Sequence, residues 1–217
     1  MKKFMIGIGC VLLVILLLLT AAMIWSANRT TAAREMRRFP DPTPRHDMGK
    51  TLVIFYSLTS NTREIAARIA EMTAGTLFEI ETEQAYPASP MLYYTAWREL
   101  NGGALPELKN TLGDISSYDT IFVGAPVWWF TVPGPMRAFL AQTDFSGKTV
   151  IPFCTQGGNA GNFFEHFEQE ARSARIAEGK EFSNVNKTDV AELDAQISEW
   201  LGAIARQRSH KDEDIKQ

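Results

Sequence analysis

K-T-L-V-I-F-Y-S-L-T-S-N-T-R-E-I-A-A-R-I-A-E-M-T, residues 50–73, decides how this chain folds. Residues 52–56 are an unbroken apolar run of strand length, rich in β-branched and aromatic side chains. Such a run suits a parallel strand covered on both faces. Ser57, Thr59, Ser60, Asn61 and Thr62 then crowd hydroxyls and an amide into the next six positions. Beyond them Ile65, Ile69 and Met72 recur at i, i+4 and i+7, which is one face of a helix. A buried strand, a short hydroxyl-rich loop and a helix N-terminus together make an anion site. The helix offers backbone N–H groups and the positive end of its dipole, and the hydroxyls add donors. A helix cap alone asks for one such side chain. The loop has no lysine and no G-x-x-x-x-G-K-[ST], which argues against a triphosphate P-loop. A phosphate monoester held by neutral donors fits better.

Outward from this stretch, strand and helix patterns alternate. Residues 76–82 have strand character but carry Glu79 and Glu81, which suits an edge strand. Residues 91–100 form a helix closed by Gly102 and Gly103. Residues 120–124 are a second buried run, and 133–142 a short helix with Pro135 in its first turn. Residues 148–154 read as a fourth strand, although Pro152 removes a ladder hydrogen bond and calls for a bulge. A helix over 163–174 places Phe163, Phe167 and Ala171 on one side, and 180–185 is a brief fifth strand. Thr188 then caps a final helix with the stripe Val190, Leu193, Ile197, Leu201 and Ile204; after Arg206 a polar tail, 207–217, is expected to fray. Five strands, each followed by a helix, predict a doubly wound α/β domain over residues 50–206. The apolar first strand and charged second one predict the order 2-1-3-4-5, in which ligands bind at the carboxyl ends of strands 1, 3 and 4.

Two further loops leave those ends. Pro126-Val127-Trp128-Trp129-Phe130 sets three consecutive aromatics between prolines. At least one should fold back onto the sheet, and an indole could wall a planar ligand, worth about 0.5–1.5 kcal/mol beyond area burial. Thr155-Gln156-Gly157-Gly158, continuing to Asn162, mixes glycines with amides and lets backbone approach a ligand closely. A neutral phosphate cradle, an aromatic wall and a polar rim together suit flavin mononucleotide (FMN).

These residues carry a resemblance. Ser57-Leu58-Thr59-Ser60-Asn61-Thr62 resembles the first loop of the flavodoxin-like family, roughly T-x-T-G-N-T, with Ser60 in the glycine position. Y-D-T-I-F-V-G-A-P-V-W-W at 118–129 and G-K-T-V-I-P-F-C-T-Q-G-G at 147–158 resemble a subgroup with a P-[IV]-W-W loop. The likeness spans about residues 50–201. It implies that Ser57, Thr59, Ser60, Asn61 and Thr62 bind the FMN phosphate. It places Pro126, Val127, Trp128 and Trp129 beside the isoalloxazine, and Thr155, Gln156, Gly157 and Gly158 along its pyrimidine edge. Ser60 either keeps ordinary dihedrals or carries about 1–2 kcal/mol of left-handed strain.

Residues 4–25 form an apolar run after Lys2 and Lys3, long enough to cross a ~30 Å hydrocarbon core. An uncleaved membrane anchor explains why the run continues through Trp25; a cleaved signal peptide, leaving a secreted protein, is the alternative. Lys2 and Lys3 favour a cytoplasmic N-terminus, whereas Arg29, Arg34, Arg37, Arg38 and Arg45 oppose it, so the side of the membrane stays open. Residues 26–49, with Pro40, Pro42 and Pro44, read as a linker. From residue 50 onward, 15 Lys/Arg face 22 Asp/Glu, a net of −7, which argues against nucleic acid as a partner. Cys10 lies in the apolar N-terminal run and Cys154 in a predicted strand, which argues against their pairing, and Cys154, without a nearby histidine, is a poor nucleophile. The expected function is a membrane-tethered FMN protein passing electrons to a redox partner protein or a small acceptor. A reductase of the NAD(P)H:quinone type and a binding module that has lost flavin are the alternatives.

Overall fold

The computed structural model describes residues 46–87 and 90–215, and side chains as far as Arg208. The apolar run 4–25 and the linker as far as residue 45 lie outside the described residues. Among the described residues, no helix is long and apolar enough to cross a membrane.

In chain order the elements are β1 (Thr51–Phe55), α1 (Asn61–Thr73), β2 (Thr76–Glu79), α2 (Met91–Leu100), β3 (Thr120–Pro126), α3 (Gly134–Gln142), β4 (Thr149–Gln156), α4 (Phe163–Glu170), β5 (Arg175–Ile176), β6 (Lys180–Ser183) and α5 (Val190–Ile215). All strand pairs are parallel and the order is β2-β1-β3-β4-β5, with β6 also beside β4. The expected order 2-1-3-4-5 is therefore the observed one, with the fifth position shared by two short strands.

Strand alternation sorts the core into two layers. Leu52, Ile54, Ile121, Val123, Val150 and Cys154 pack with Met136, Phe139, Phe163 and Phe167 from α3 and α4. Val53, Phe55, Phe122, Ile151 and Phe153 pack on the other face with Ile65, Ile69, Leu193, Ile197 and Leu201 from α1 and α5. Every residue of β1 is buried, as the apolar run from Leu52 requires, and the hydroxyl of Thr51 is satisfied by the Gly49 carbonyl at 3.1 Å. Strand β2 lies at the edge, and its Glu79 accepts two hydrogen bonds from Arg63. Buried Arg68 of α1 pairs with Asp194 of α5 and with Glu64 at 3.3 Å, joining two helices that pack on one face of the sheet.

The structure corrects five boundary or local readings. Pro152 needs no bulge, because β3 and β4 stay in continuous register from Ile121↔Val150 to Pro126↔Thr155. The carbonyls of Val150 and Gln156 bond outward to Ala177 and Asn184. By alternation Pro152 also faces outward, opposite the break between β5 and β6, where no donor is wanted. The domain begins before Lys50: the His46 amide bonds to the Met72 carbonyl at 2.7 Å and Met48 is buried. Asp189, not Thr188, caps α5, its carboxylate accepting the Ala191 amide at 2.8 Å. Helix α5 runs on to Ile215 instead of fraying after Arg206, and α4 ends at Glu170. Arg208 helps hold that extension by donating to the Met48 carbonyl at 3.0 Å.

Gly124 in β3 makes room for the Phe153 ring, whose Cζ lies 2.0 Å from where a Cβ would sit. Gly124→Ala is expected to cost about 1–3 kcal/mol through overpacking. At about 2–4 °C per kcal/mol, a thermal melt would detect it.

Candidate functional site

The three loops meet because β1, β3 and β4 are neighbours in register. Tyr56 N–H donates to the Gly124 carbonyl at 3.0 Å and Val127 N–H to the Thr155 carbonyl at 2.9 Å. Thr62 at the start of α1 and Thr155 near the end of β4, both buried, share a hydroxyl–hydroxyl bond of 2.8 Å. That bond ties the loop after β1 to the loop after β4.

Ser60 precedes α1 in the left-handed region, with φ 65° and ψ −1°, so the strain open at the sequence level is carried. Its side chain makes no capping bond to α1. Within the loop, Asn61 Nδ2 lies 3.4 Å from Thr59 Oγ1. Ser57 Oγ is buried without a hydrogen-bond partner. Buried hydroxyls are ordinarily satisfied, and an orphaned one costs about 1–3 kcal/mol. Gln156 Oε1 is orphaned in the same way, while its amide donates to Ser183 Oγ at 2.6 Å. Gly157 and Gly158 are exposed, have no positive φ, and would carry a Cβ into open space. Neither conformation nor internal packing demands glycine at those two positions.

The aromatic loop divides its three rings. Trp128 is half-buried and packs edge-on against Tyr56 at 5.7 Å and Tyr86 at 5.0 Å, the ring expected to fold back. Trp129 and Phe130 stand exposed. Trp128 and Thr131 exchange amide–carbonyl bonds of 3.2 and 3.0 Å, closing a turn whose centre is Trp129 (φ 50°) and Phe130 (φ 63°). Two positive φ values in a two-residue turn normally select Asn-Gly, so both aromatics carry backbone strain. The turn is braced from below: Asn162 N–H donates to the Phe130 carbonyl at 2.9 Å. Gly161 lies so close that a Cβ would come within 2.5 Å of the Phe130 Cβ. His166, half-buried, bonds Thr131 Oγ1 through Nδ1 and so supports the turn from α4. Pro126 and Val127 are half-buried between the loops.

Two groups behind the indole carry no sequence signal. Glu99 of α2 is buried, and its Oε1 accepts the Tyr86 hydroxyl at 2.8 Å while Oε2 has no partner. Burial raises the Glu99 carboxyl above the usual carboxylate range, against the lowering effects of the Tyr86 bond and of Arg98 and Arg137. Burial also raises the Tyr86 and Tyr56 phenols well above 10, with Glu99 adding to both. A cavity of about 450 Å³, lined in part by Tyr86, Thr95, Arg98 and Glu99, opens beside α2 outside the three loops. Cys154 is fully buried and its thiol is pushed up to about 12 by burial, which rules it out as a nucleophile at neutral pH. Among the described residues no cluster of metal-ligating side chains occurs.

A doubly wound sheet with three loops gathered at the carboxyl ends of β1, β3 and β4 defines a class of α/β ligand-binding domain. The family model described as Flavodoxin matches residues 50–201, and the chain belongs to that family. A Bacteroides uniformis protein assigned as a flavoprotein is similar at 29% identity and TM-score 0.61, over 69% of this chain and 98% of that one. A flavoprotein from Lactobacillus acidophilus, solved in complex with FMN, is similar at 26% identity and TM-score 0.56, over 61% of this chain and 92% of that one. No functionally curated protein matches the sequence.

Ser60→Gly should relieve about 1–2 kcal/mol of strain and lose about 0.4–1 to the unfolded chain. A net gain of about 0.5–1 kcal/mol is expected in urea denaturation. Glu99 binds its proton more tightly folded than unfolded, so its contribution to stability is full below the unfolded value of 4.5 and declines as pH rises through the folded value. Glu99→Gln should remove that decline from a pH series of urea midpoints; an unchanged profile would place the effect elsewhere.

Proposed function

We propose that this chain binds FMN in the three-loop site and acts as a membrane-tethered redox protein, passing electrons to a protein partner or small acceptor. The observation that carries the reading is the buried, unpartnered Ser57 hydroxyl beside an α1 terminus lacking a side-chain cap. A phosphate monoester would take up that donor, helped by the helix dipole and the hydroxyls of Thr59, Ser60 and Thr62. Asn61 completes the loop. The Lactobacillus acidophilus flavoprotein, similar over most of its length, binds the same cofactor.

The remaining residues supply position. Trp128, fixed edge-on by Tyr56 and Tyr86, offers a stiff wall for a planar ring, with Pro126 and Val127 setting its loop. Trp129 stands at the outer rim, held by its indole N–H on the Tyr93 carbonyl at 3.1 Å. Gly157 and Gly158, free of internal demands, let backbone approach a ring edge, and the orphaned Gln156 Oε1 can accept from a ring N–H. Thr155 orients the cradle by holding Thr62. When bound, the flavin supplies reversible electron transfer, while the protein sets orientation and potential. Carboxylates disfavour added negative charge, so the net −7 of the domain acts to lower the potential. The apolar run 4–25 would supply the tether.

Purified protein should be yellow, or become so on titration with FMN. Ser57→Ala should weaken FMN binding by roughly tenfold, about 1–1.5 kcal/mol for one lost hydrogen bond. A colourless protein that stays colourless in excess FMN would sink the reading. Bleaching of the bound flavin by NAD(P)H alone would turn it into a pyridine-nucleotide-dependent reductase.

A further inference from the structure

Helix α2 turns only a thin face inward: Leu92 packs against the core beside buried Ala96 and the carboxylate Glu99, while Tyr93, Tyr94 and Trp97 stand 67%, 57% and 47% exposed. A surface helix normally turns its apolar stripe inward. Tyr94 and Trp97 stack at 6.3 Å, and Met91, also exposed, precedes Tyr94 by three residues on the same face. The Trp129 indole donates to the Tyr93 carbonyl at 3.1 Å, so the exposed Trp129–Phe130 turn continues this surface to the rim of the three-loop site. No acidic residue lies in the first turn of α2, and its one carboxylate is buried. The patch is thus free of negative charge on a domain whose net charge is −7.

We infer that this aromatic face docks on a lipid surface, opening the three-loop site toward the membrane. The inference rests on the tether of the proposed function and not on its flavin. Tryptophan and tyrosine, apolar with one polar handle, settle at headgroup depth. Twenty residues, 26–45, separate Trp25 from His46 in the sequence and can span at most about 66–72 Å. His46 packs at the opposite end of β1 from the loops, and a domain of this length has a radius of gyration of about 15 Å, so that span exceeds the domain's own dimensions. A second copy of the chain is a poorer occupant, because two domains of net −7 repel. A planar apolar acceptor dissolved in the bilayer would then reach the site without crossing water.

The test uses the full chain reconstituted in phosphatidylcholine vesicles containing acyl-chain-brominated lipid, which quenches tryptophans at shallow depth. Trp97→Phe should remove part of the bromolipid quenching, and Tyr93→Asp with Tyr94→Asp should abolish the Trp97 share while leaving the far-ultraviolet spectrum intact. Trp25→Phe reports the tether separately. Quenching lost with Trp25 but untouched by Trp97→Phe overturns the docking and keeps the tether. Quenching sensitive to Trp97 but not Trp25 keeps the docking and overturns the tether. A detergent-solubilised dimer that Tyr94→Asp converts to monomer assigns the face to a second copy and overturns the lipid surface.

Discussion

Strand β1 has no face toward water: β2 and β3 flank it, α1 and α5 cover one side, and α3 with its neighbours covers the other. Such a strand is apolar along Leu52–Phe55, its one hydroxyl, Thr51 at the start, being satisfied by the Gly49 carbonyl, so its polar chemistry is displaced to the ends. The backbone must then turn within a few residues to enter α1. At that turn it leaves a helix terminus, a cluster of hydroxyls and Ser60 in a left-handed conformation. Much of what the molecule can bind follows from this one buried strand, since β3 and β4 repeat the same geometry beside it.

The strain in the loops is concentrated where ligand chemistry is expected. Among the described residues, Ser60, Trp129 and Phe130 are three of the five non-glycine positions with positive φ, and all lie in the loops after β1 and β3. Such conformations persist only where neighbouring contacts over-determine them. The Thr62–Thr155 bond constrains the first loop, and Asn162, Gly161 and His166 constrain the second. The orphaned Ser57 oxygen lies in the first of these loops, and the orphaned Gln156 oxygen at the end of β4, where the third loop begins. The loops are therefore internally braced yet leave two buried oxygens unsatisfied, as the proposed FMN site requires.

Behind that cradle, Trp128, Tyr86 and Glu99 form a chain of contacts from the loop to α2. A carboxyl with a raised pKa, two bonds removed from the aromatic wall, couples the stability of this region to pH without standing in the loops themselves. The same helix that buries Glu99 exposes its aromatic rings, so one element links the contacts behind the indole to the outer surface.

Local patterns in the sequence were sufficient for the strand order, the buried faces of α1, α4 and α5 and the three loops, because apolar periodicity and clustered hydroxyls are properties of neighbouring residues, whereas α2 exposes the rings its pattern would bury. Pro152 showed the limit of that reading: whether a proline disrupts a strand depends on what lies opposite its missing N–H, and the break between β5 and β6 is set by residues far along the chain. The left-handed geometry of Trp129 and Phe130 was hidden for the same reason, since aromatics ordinarily avoid it and only packing against Gly161 and Asn162 imposes it. Glu99 in α2 looks like any exposed helical acid until Tyr86, thirteen residues earlier, closes over it. Composition and spacing thus determined which loops gather at one end of the sheet, while tertiary contact decided which indole packs edge-on, which oxygen lacks a partner and which carboxyl is buried, because those depend on groups that meet only after folding.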